Sequence, residues 1–298
     1  MKNLLNTLRY IVRHPLNRAR PLRAVGRYLA WQIGSRLLPG SVAVPFVGGT
    51  RLLTRRGMTG ATGNLYAGLA EFEEMGLVLH ALRPGDWFVD VGANIGAYTV
   101  LAAGVCGSSA VAIEPIPKTF ESLQDNIRIN RLEERVIARN MGAGATKGNL
   151  TFSSDLDTVN HVLAPGEATP DKTVLVPVDT LDSLIAGIEP TVIKIDVEGF
   201  EAEVVKGAFS AFRSPKLLAV IMELNDCATR YHAEGGSVYD EVLALGFTTC
   251  QYDPLTRALV RIEPEKGKAC NAIFVKNEAA LSDRLKTAPR RSINGVTI

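Results

Sequence analysis

The stretch FVDVGANIGAYT, residues 88–99, sets one carboxylate, Asp90, just ahead of two glycines, Gly92 and Gly96, with Asn94 between them. A short apolar run entering a glycine-punctuated turn reads as a strand that opens a helix, the corner where open α/β sheets bind ligands. Phosphate ligands fit this corner poorly. The pattern GxxxxGK[ST] is absent and no lysine follows the glycines, which excludes a P-loop nucleotide. A dinucleotide needs GxGxxG to offer amides to its pyrophosphate. Here the string is D-V-G-A-N-I-G, and Asp90 would stand against the phosphate. S-adenosylmethionine, which carries an ammonium and a sulfonium but no phosphate, suits a carboxylate beside a glycine turn. The segment AVAIEP ends in Glu114, an acid placed to accept both hydroxyls of a ribose. NAD enzymes use the same device, so Glu114 alone does not discriminate, and both acids could be ordinary strand-end residues.

A second polar cluster lies in VIKIDVEGF. Lys194, Asp196 and Glu198 alternate with Ile193, Ile195 and Val197, so on a strand the three charges share one face. Charges on an otherwise apolar strand are costly unless paired or set at a ligand-facing rim. One reading is ion pairing that ties the strand end to a helix. The other makes Asp196 or Glu198 a general base or substrate anchor, with Lys194 tuning its charge. His161, in DTVNHVL, is an apt base near neutral pH or a solvated loop residue.

These residues need a scaffold. From about residue 86 the pattern alternates strand and helix, which argues for a mostly parallel sheet. Strands are expected at 87–91, 111–114, 135–140, 191–196, 217–223, 246–252 and 270–275, and helices at 95–105, 117–130, 201–212 and 237–245. GNLTFSS and the polar stretch to Val178 read as an inserted strand and loop. Thr180 and Asp182 read as a turn and helix cap, Asn126 and Asn130 as braces of the helix after Glu114. Residues 41–75 read as short strands and turns leading into a helix. Two helical segments fill 1–40, with Leu22, Val25, Leu29, Ile33 and Leu37 recurring at helical steps.

FVDVGANIGAYT, AIEPIPKTFESLQDNIRIN, VPVDTLDSL and VIKIDVEGFEAEVVKGA together resemble the FkbM-type methyltransferases, in four ordered blocks over roughly 64–276. The lead-in NLYAGLAEFEEM is similar too. The resemblance implies a class I methyltransferase, Rossmann-like three-layer α/β sandwich, with a mostly parallel seven-stranded sheet whose last strand is antiparallel. It also implies S-adenosylmethionine-dependent O-methylation of a hydroxyl on a small molecule or glycan. Asp90, Gly92, Asn94, Gly96 and Glu114 would then hold the cofactor, with Met141 and Gly142 after the third strand beside the adenine. With that strand order, Asp196, Glu223 and Asn225 would converge on one side of the cleft. Two acids and an amide are similar to the oxygen-donor Mg²⁺ site of catechol O-methyltransferases.

Composition frames these readings. Of 33 Lys and Arg, eleven lie in residues 1–70, which contain no Asp or Glu, so the remaining 22 face 31 acidic residues. A basic arm thus precedes an acidic body. Arg9, Arg13, Arg18, Arg20, Arg23, Arg27 and Arg36, with Tyr10, Tyr28 and Trp31 interleaved, suit a membrane surface. They equally suit a helix whose apolar stripe packs on the domain or on a second subunit in a homodimer. A nucleic-acid patch would want a basic body and is not expected. Cys106, Cys227, Cys250 and Cys270 lack metal-ligand spacing and read as reduced, buried thiols. The expected layout is a basic arm and lead-in at 1–75, a catalytic domain at 76–278 and a loosely held polar tail at 279–298. The expected setting is the cytoplasm, with a peripheral place at the inner membrane face as the alternative should the arm meet a membrane. The rival reading is a methyltransferase-like domain that binds cofactor or partner without turnover.

Overall fold

The computed structural model describes residues 2–38, 40–153, 161–163, 173–224, 237–263 and 270–298. Its main sheet has eight strands: β1 Trp87–Val91, β2 Ser109–Ile113, β3 Val136–Arg139, β4 Val192–Ile195, β5 Ala219–Leu224, β6 Thr248–Asp253, β7 Ala258–Arg261 and β8 Cys270–Val275. They lie in the order β7-β6-β8-β5-β4-β1-β2-β3. The five strands from β3 to β5 in that order are parallel, and β8 runs antiparallel to both β5 and β6. This is the order expected of a class I methyltransferase sandwich, with one addition. β7 folds back antiparallel on β6 as an eighth, edge strand. The turn between them explains it: Asp253 accepts from the Leu255 amide at 2.9 Å and the Thr256 hydroxyl at 2.8 Å, and Arg257 takes a left-handed φ of 60°.

Eleven α-helices, α1 to α11, lie among the described residues: Lys2–Arg13, Pro21–Leu37, Thr59–Ala67, Phe72–Ala81, Ala97–Val100, Pro117–Ile129, Leu181–Ile185, Glu201–Lys206, Phe209–Arg213, Val238–Ala244 and Glu278–Lys286. The sheet strands carry apolar residues on both faces, as a doubly covered parallel sheet must. Phe88, Ala110, Val192 and Ile221 meet α4, α5, α6 and α11, while Val89, Val111, Ile193 and Val220 meet α7 to α10. A side sheet of Gly142–Gly144, Gly148–Ser153 and Thr173–Thr180 packs Phe152, Val162, Val176 and Val178 into a small core with Ile116. It has three strands where one was expected. Val174, Val176 and Val178 alternate in the missed strand, so the signal was present. Thr180 caps α7 through the Ser183 amide, and Asp182 accepts from the Ser210 and Ala211 amides at the start of α9.

The arm and the tail both differ from expectation. Ile11, Leu16, Ala24 and Trp31 are buried in the main core, whereas Leu22, Leu29, Ile33 and Leu37 face solvent. Four of the five residues that periodicity set on one stripe are therefore uncovered, and the fifth, Val25, is half-buried. Trp31 and Tyr28 turn inward, Tyr28 meeting Tyr66 edge-on. Residues after 278 are not loose: Leu281, Leu285, Ala288, Ile293 and Ile298 are all buried. Arg257 donates to the carbonyl of Lys286, the last residue of α11, and to that of Ala288 just past it, closing the helix end. Asn294 donates to Ala67 and to Asn17, which itself donates to Ile11 and Tyr66. Cys106 and Cys250 are free, buried thiols. Among the described residues no helix is long and apolar enough to cross a membrane.

Asn130 braces the end of α6 as expected, donating to the Asn126 carbonyl, and both asparagines also tie α6 to the hairpin Val42–Pro45 and Arg51–Thr54. The fully buried Asn126 accepts from Leu53 at 2.6 Å and donates to Ile95 at 2.8 Å, while Asn130 exchanges two 2.8 Å bonds with the Arg51 backbone. Asn126→Leu would strand one buried amide and one carbonyl. A loss of about 2–4 kcal/mol is expected, read as a lower urea midpoint at unchanged slope.

Candidate active site

Strand order reverses at β1, which lies between β2 and β4, so the crevice beyond its carboxyl end is the natural binding site. Gly92 follows β1 at φ +77°, and a Cβ there would lie 1.8 Å from the Asp196 carbonyl oxygen. The glycine thus admits the backbone that follows β4, a closer demand than the ligand approach anticipated from sequence. Gly96 opens α5 at φ +86°, with Leu123 Cδ1 2.5 Å from a notional Cβ. Between them Asn94, at φ 51°, accepts from the Ile95 amide at 2.8 Å and donates its own amide to Glu114 Oε2 at 2.9 Å.

Glu114 receives a second amide, from Ile116, on Oε1 at 2.9 Å. Burial pushes its carboxyl up to about 7, against the pull of those two amides. Each oxygen keeps a lone pair for a further donor, and Glu114 walls the cleft. Asp90 is buried at the end of β1, accepting from the Thr99 hydroxyl at 2.6 Å. Burial raises its carboxyl too, and Lys194 opposes that rise.

Lys194 stands opposite Asp90 in the parallel ladder and is itself buried. Its Nζ lies 2.6 Å from Asp196 Oδ2 and 4.9 Å from the centre of the Tyr98 ring. Burial alone would discharge the ammonium, but Asp196, Glu71 and Asp90 outweigh it and hold the charge. The Tyr98 hydroxyl donates to Glu71, so the lead-in segment closes the cluster from above α5. Sequence reasoning missed Tyr98 and Glu71 as site residues, although both lie in blocks it quoted.

The three-residue alternation holds for Lys194 and Asp196 but not for Glu198. β4 ends at Ile195, and Glu198 sits in a turn at φ 53°. That turn is held by Glu201, whose Oε1 accepts from Val197 at 3.1 Å and Gly199 at 3.2 Å. Glu198 nonetheless returns to the cluster: Asp196, Glu198 and Glu223 offer oxygens within 4.8 Å of one another. Burial, then Asp196, raises Glu198 to about 7 and Glu223 to about 8. The expected convergence of Asp196 and Glu223 is present; Asn225 lies outside the described residues.

A cleft of about 370 Å³ gathers these groups, walled by Asp90, Glu114, Lys194, Asp196, Glu198 and Glu223 among others. Gly142 and Ala143 form part of the wall, whereas Met141 packs beside it against the core under α7 to α10. His161 is buried rather than solvated, and its backbone pairs with Ser153. Its neighbours Val162 and Phe152 wall the cleft while His161 does not. Asn64 and Gly63 of α3 complete the near side.

Comparison with known proteins adds the following. A curated relative, the hexuronic acid methyltransferase AglP of Haloferax volcanii, is 32% identical over 151 residues, 48% of this chain and 59% of the relative. The chain therefore spans 59% of that relative's length. Methyltransferase FkbM from Methylobacillus flagellatus aligns at 18% identity and a TM-score of 0.44, over 85% of this chain and 60% of that one. A SAM-dependent O-methyltransferase from Thermotoga maritima aligns at 13% identity and a TM-score of 0.36, over 68% of this chain and 63% of that one. Residues 90–249 match the family described as the methyltransferase FkbM domain. That match covers more than half of the 298 residues, and the chain belongs to the FkbM methyltransferase domain family.

Proposed function

We propose that the protein is an S-adenosylmethionine-dependent O-methyltransferase whose acceptor is a hydroxyl of a small molecule or glycan. One observation carries the reading: Asp90, Glu114 and Asp196, from the ends of three neighbouring strands, wall one cleft. Acidic walls fit a cationic donor that lacks phosphate. The relative named as a hexuronic acid methyltransferase supports a glycan-related acceptor.

In this reading Glu114 accepts the ribose hydroxyls, and Asp90, Gly92, Asn94 and Gly96 shape the corner that holds the rest of the cofactor. The adenine lies toward Gly142. Bound there, S-adenosylmethionine supplies an electrophilic methyl on sulfonium for in-line transfer to an acceptor oxygen. Most of the acceleration then comes from holding the acceptor hydroxyl in line. Asp196 takes the acceptor's proton, and Lys194 fixes that carboxylate's position. Glu198 and Glu223, raised by burial to about 7 and about 8, carry protons up to near neutral pH beside Asp196. His161 acts at most through Glu198.

Thermal melts test the cofactor. S-adenosylhomocysteine at ~100 times its dissociation constant should add about 2.7 kcal/mol and raise the melting temperature, and NAD should not. A shift with NAD alone would overturn the reading. Asp196→Asn should keep the S-adenosylhomocysteine shift yet lose about 10²–10⁴-fold in kcat. Retained turnover in that variant removes Asp196 as base, and absent turnover in the native protein across hydroxyl acceptors favours a binding domain.

A pH dependence follows from Glu114. Hydroxyl donors favour its ionised form, while the empty site holds a proton up to about pH 7. Binding below that pH must expel the proton, so affinity should weaken as pH falls, by up to about tenfold per unit. Above pH 7 it should level off. Calorimetric titration with S-adenosylhomocysteine from pH 5.5 to 8.5 reads this, and Glu114→Gln should flatten the profile.

A divalent cation, expected as Mg²⁺, is a second reading, supported by the 4.8 Å grouping of Asp196, Glu198 and Glu223. The Lys194 ammonium already supplies positive charge 2.6 Å from Asp196. Turnover should therefore survive EDTA; loss on chelation with recovery on adding Mg²⁺ would give the trio to a metal instead.

A further inference from the structure

The outer face of α2 is apolar and uncovered. Leu22 is 86% exposed, Leu29 52%, Ile33 62% and Leu37 74%. At about 3.6 residues per turn these four fall within an arc of about 80°, with the small residues Gly26 and Ala30 at or beside it. The inner face is a separate surface: Ala24 and Trp31 are buried, and Arg27 donates to the Tyr66 carbonyl of α3 at 2.9 Å. The helix therefore already spends its other side on the fold, and the exposed stripe is surplus to it.

What borders the stripe identifies its occupant. Arg36 lies along one flank and Arg23 along the other, both exposed. Arg9, Arg13, Arg18 and Arg20 are exposed in α1 and the turn that follows, as are Leu5 and Val12. No acidic side chain occurs before Glu71. An apolar strip edged by arginines matches a surface that is apolar at depth and anionic at its rim. Long arginine stems can lie along the apolar layer and lift their guanidinium groups to phosphate. We propose that α2 docks in the plane of an anionic phospholipid bilayer, with Leu22, Leu29, Ile33 and Leu37 entering the acyl boundary and Arg23 and Arg36 meeting the headgroups. Of the aromatic residues singled out in the sequence, Trp31 and Tyr28 face inward, and the exposed Tyr10 is tied by its hydroxyl to the Ala70 carbonyl.

Docking in this way orients the cleft. α2 packs on α3 through Arg27, Gln32 and Tyr28 at Tyr66. Gly63 and Asn64 of the same α3 wall the cleft. The cleft would lie one helix away from the bilayer surface, open to acceptors held there.

Flotation of the full chain with vesicles tests the inference. Vesicles of phosphatidylcholine containing about one third phosphatidylglycerol should carry the protein, and pure phosphatidylcholine vesicles should carry far less. Arg23→Gln with Arg36→Gln should weaken partitioning about tenfold or more, and raised salt should do the same to the native chain. Leu29→Gln with Ile33→Gln should abolish flotation while leaving the S-adenosylhomocysteine melt shift intact. That melt reads the fold and the cofactor site separately, so failure of one proposal is distinguishable from failure of the other. Unchanged flotation in the leucine–isoleucine variant overturns the proposal, as does equal flotation on both vesicle types. So does a native chain that ignores vesicles but self-associates through Leu29 and Ile33 in light scattering, which gives the stripe to a second copy.

Discussion

A buried ammonium governs the centre of this molecule. Lys194 points into the layer below α5, where an unpaired charge would be strongly unfavourable. It persists because Asp196 meets it directly, Asp90 stands beside it in the next strand, and the Tyr98 ring faces it, itself tied to Glu71. Those partners come from β1, the end of β4, α5 and the lead-in. The charge can be satisfied only when all four have assembled in register. A slip of β4 by one residue would send Lys194 into the apolar layer under α7 to α10. One side chain thus enforces both the pairing of β1 with β4 and the crevice that this pairing creates.

The same junction is enforced by space as well as charge. The Asp196 carbonyl occupies the volume a side chain at position 92 would need. The carboxylate of that residue is therefore positioned from two directions, by its own backbone against Gly92 and by its oxygen against Lys194. Glu201 adds a third restraint by holding the amides of the following turn. A carboxylate so restrained loses little freedom when an acceptor arrives, which is what preorganisation requires.

Short-range geometry was legible in the sequence, and long-range facing was not. Asp90, Gly92 and Glu114 stand within one βαβ unit, where spacing carries geometry directly. Thr180 and Asp182 were readable as caps because capping is local. The orientation of α2 was not readable. Periodicity reports that a stripe exists, and what decided its direction was Tyr66, far along the chain, offering Tyr28 an edge and Arg27 a carbonyl. Glu198 failed for a related reason: alternation assumes a strand, and the left-handed turn at that residue breaks it. The tail looked polar on average, yet Leu281, Leu285, Ile293 and Ile298 are spaced to bury, and the arginine that fastens it, Arg257, belongs to an earlier hairpin.

The placement of β8 has a consequence for how the chain is made. That strand enters between β5 and β6, and beyond it a small hairpin of Ser292–Ile293 and Val296–Thr297 brings Asn294 to Asn17, 277 positions earlier. During synthesis the first helices emerge long before the segments that secure them exist. The sheet has a gap until the stretch around Cys270–Val275 leaves the ribosome. Contacts of such high sequence separation slow folding, and a nascent arm with uncovered leucines is a target for chaperones or aggregation in that interval. Closing the sheet and fastening the arm therefore both wait on segments from Cys270 onward.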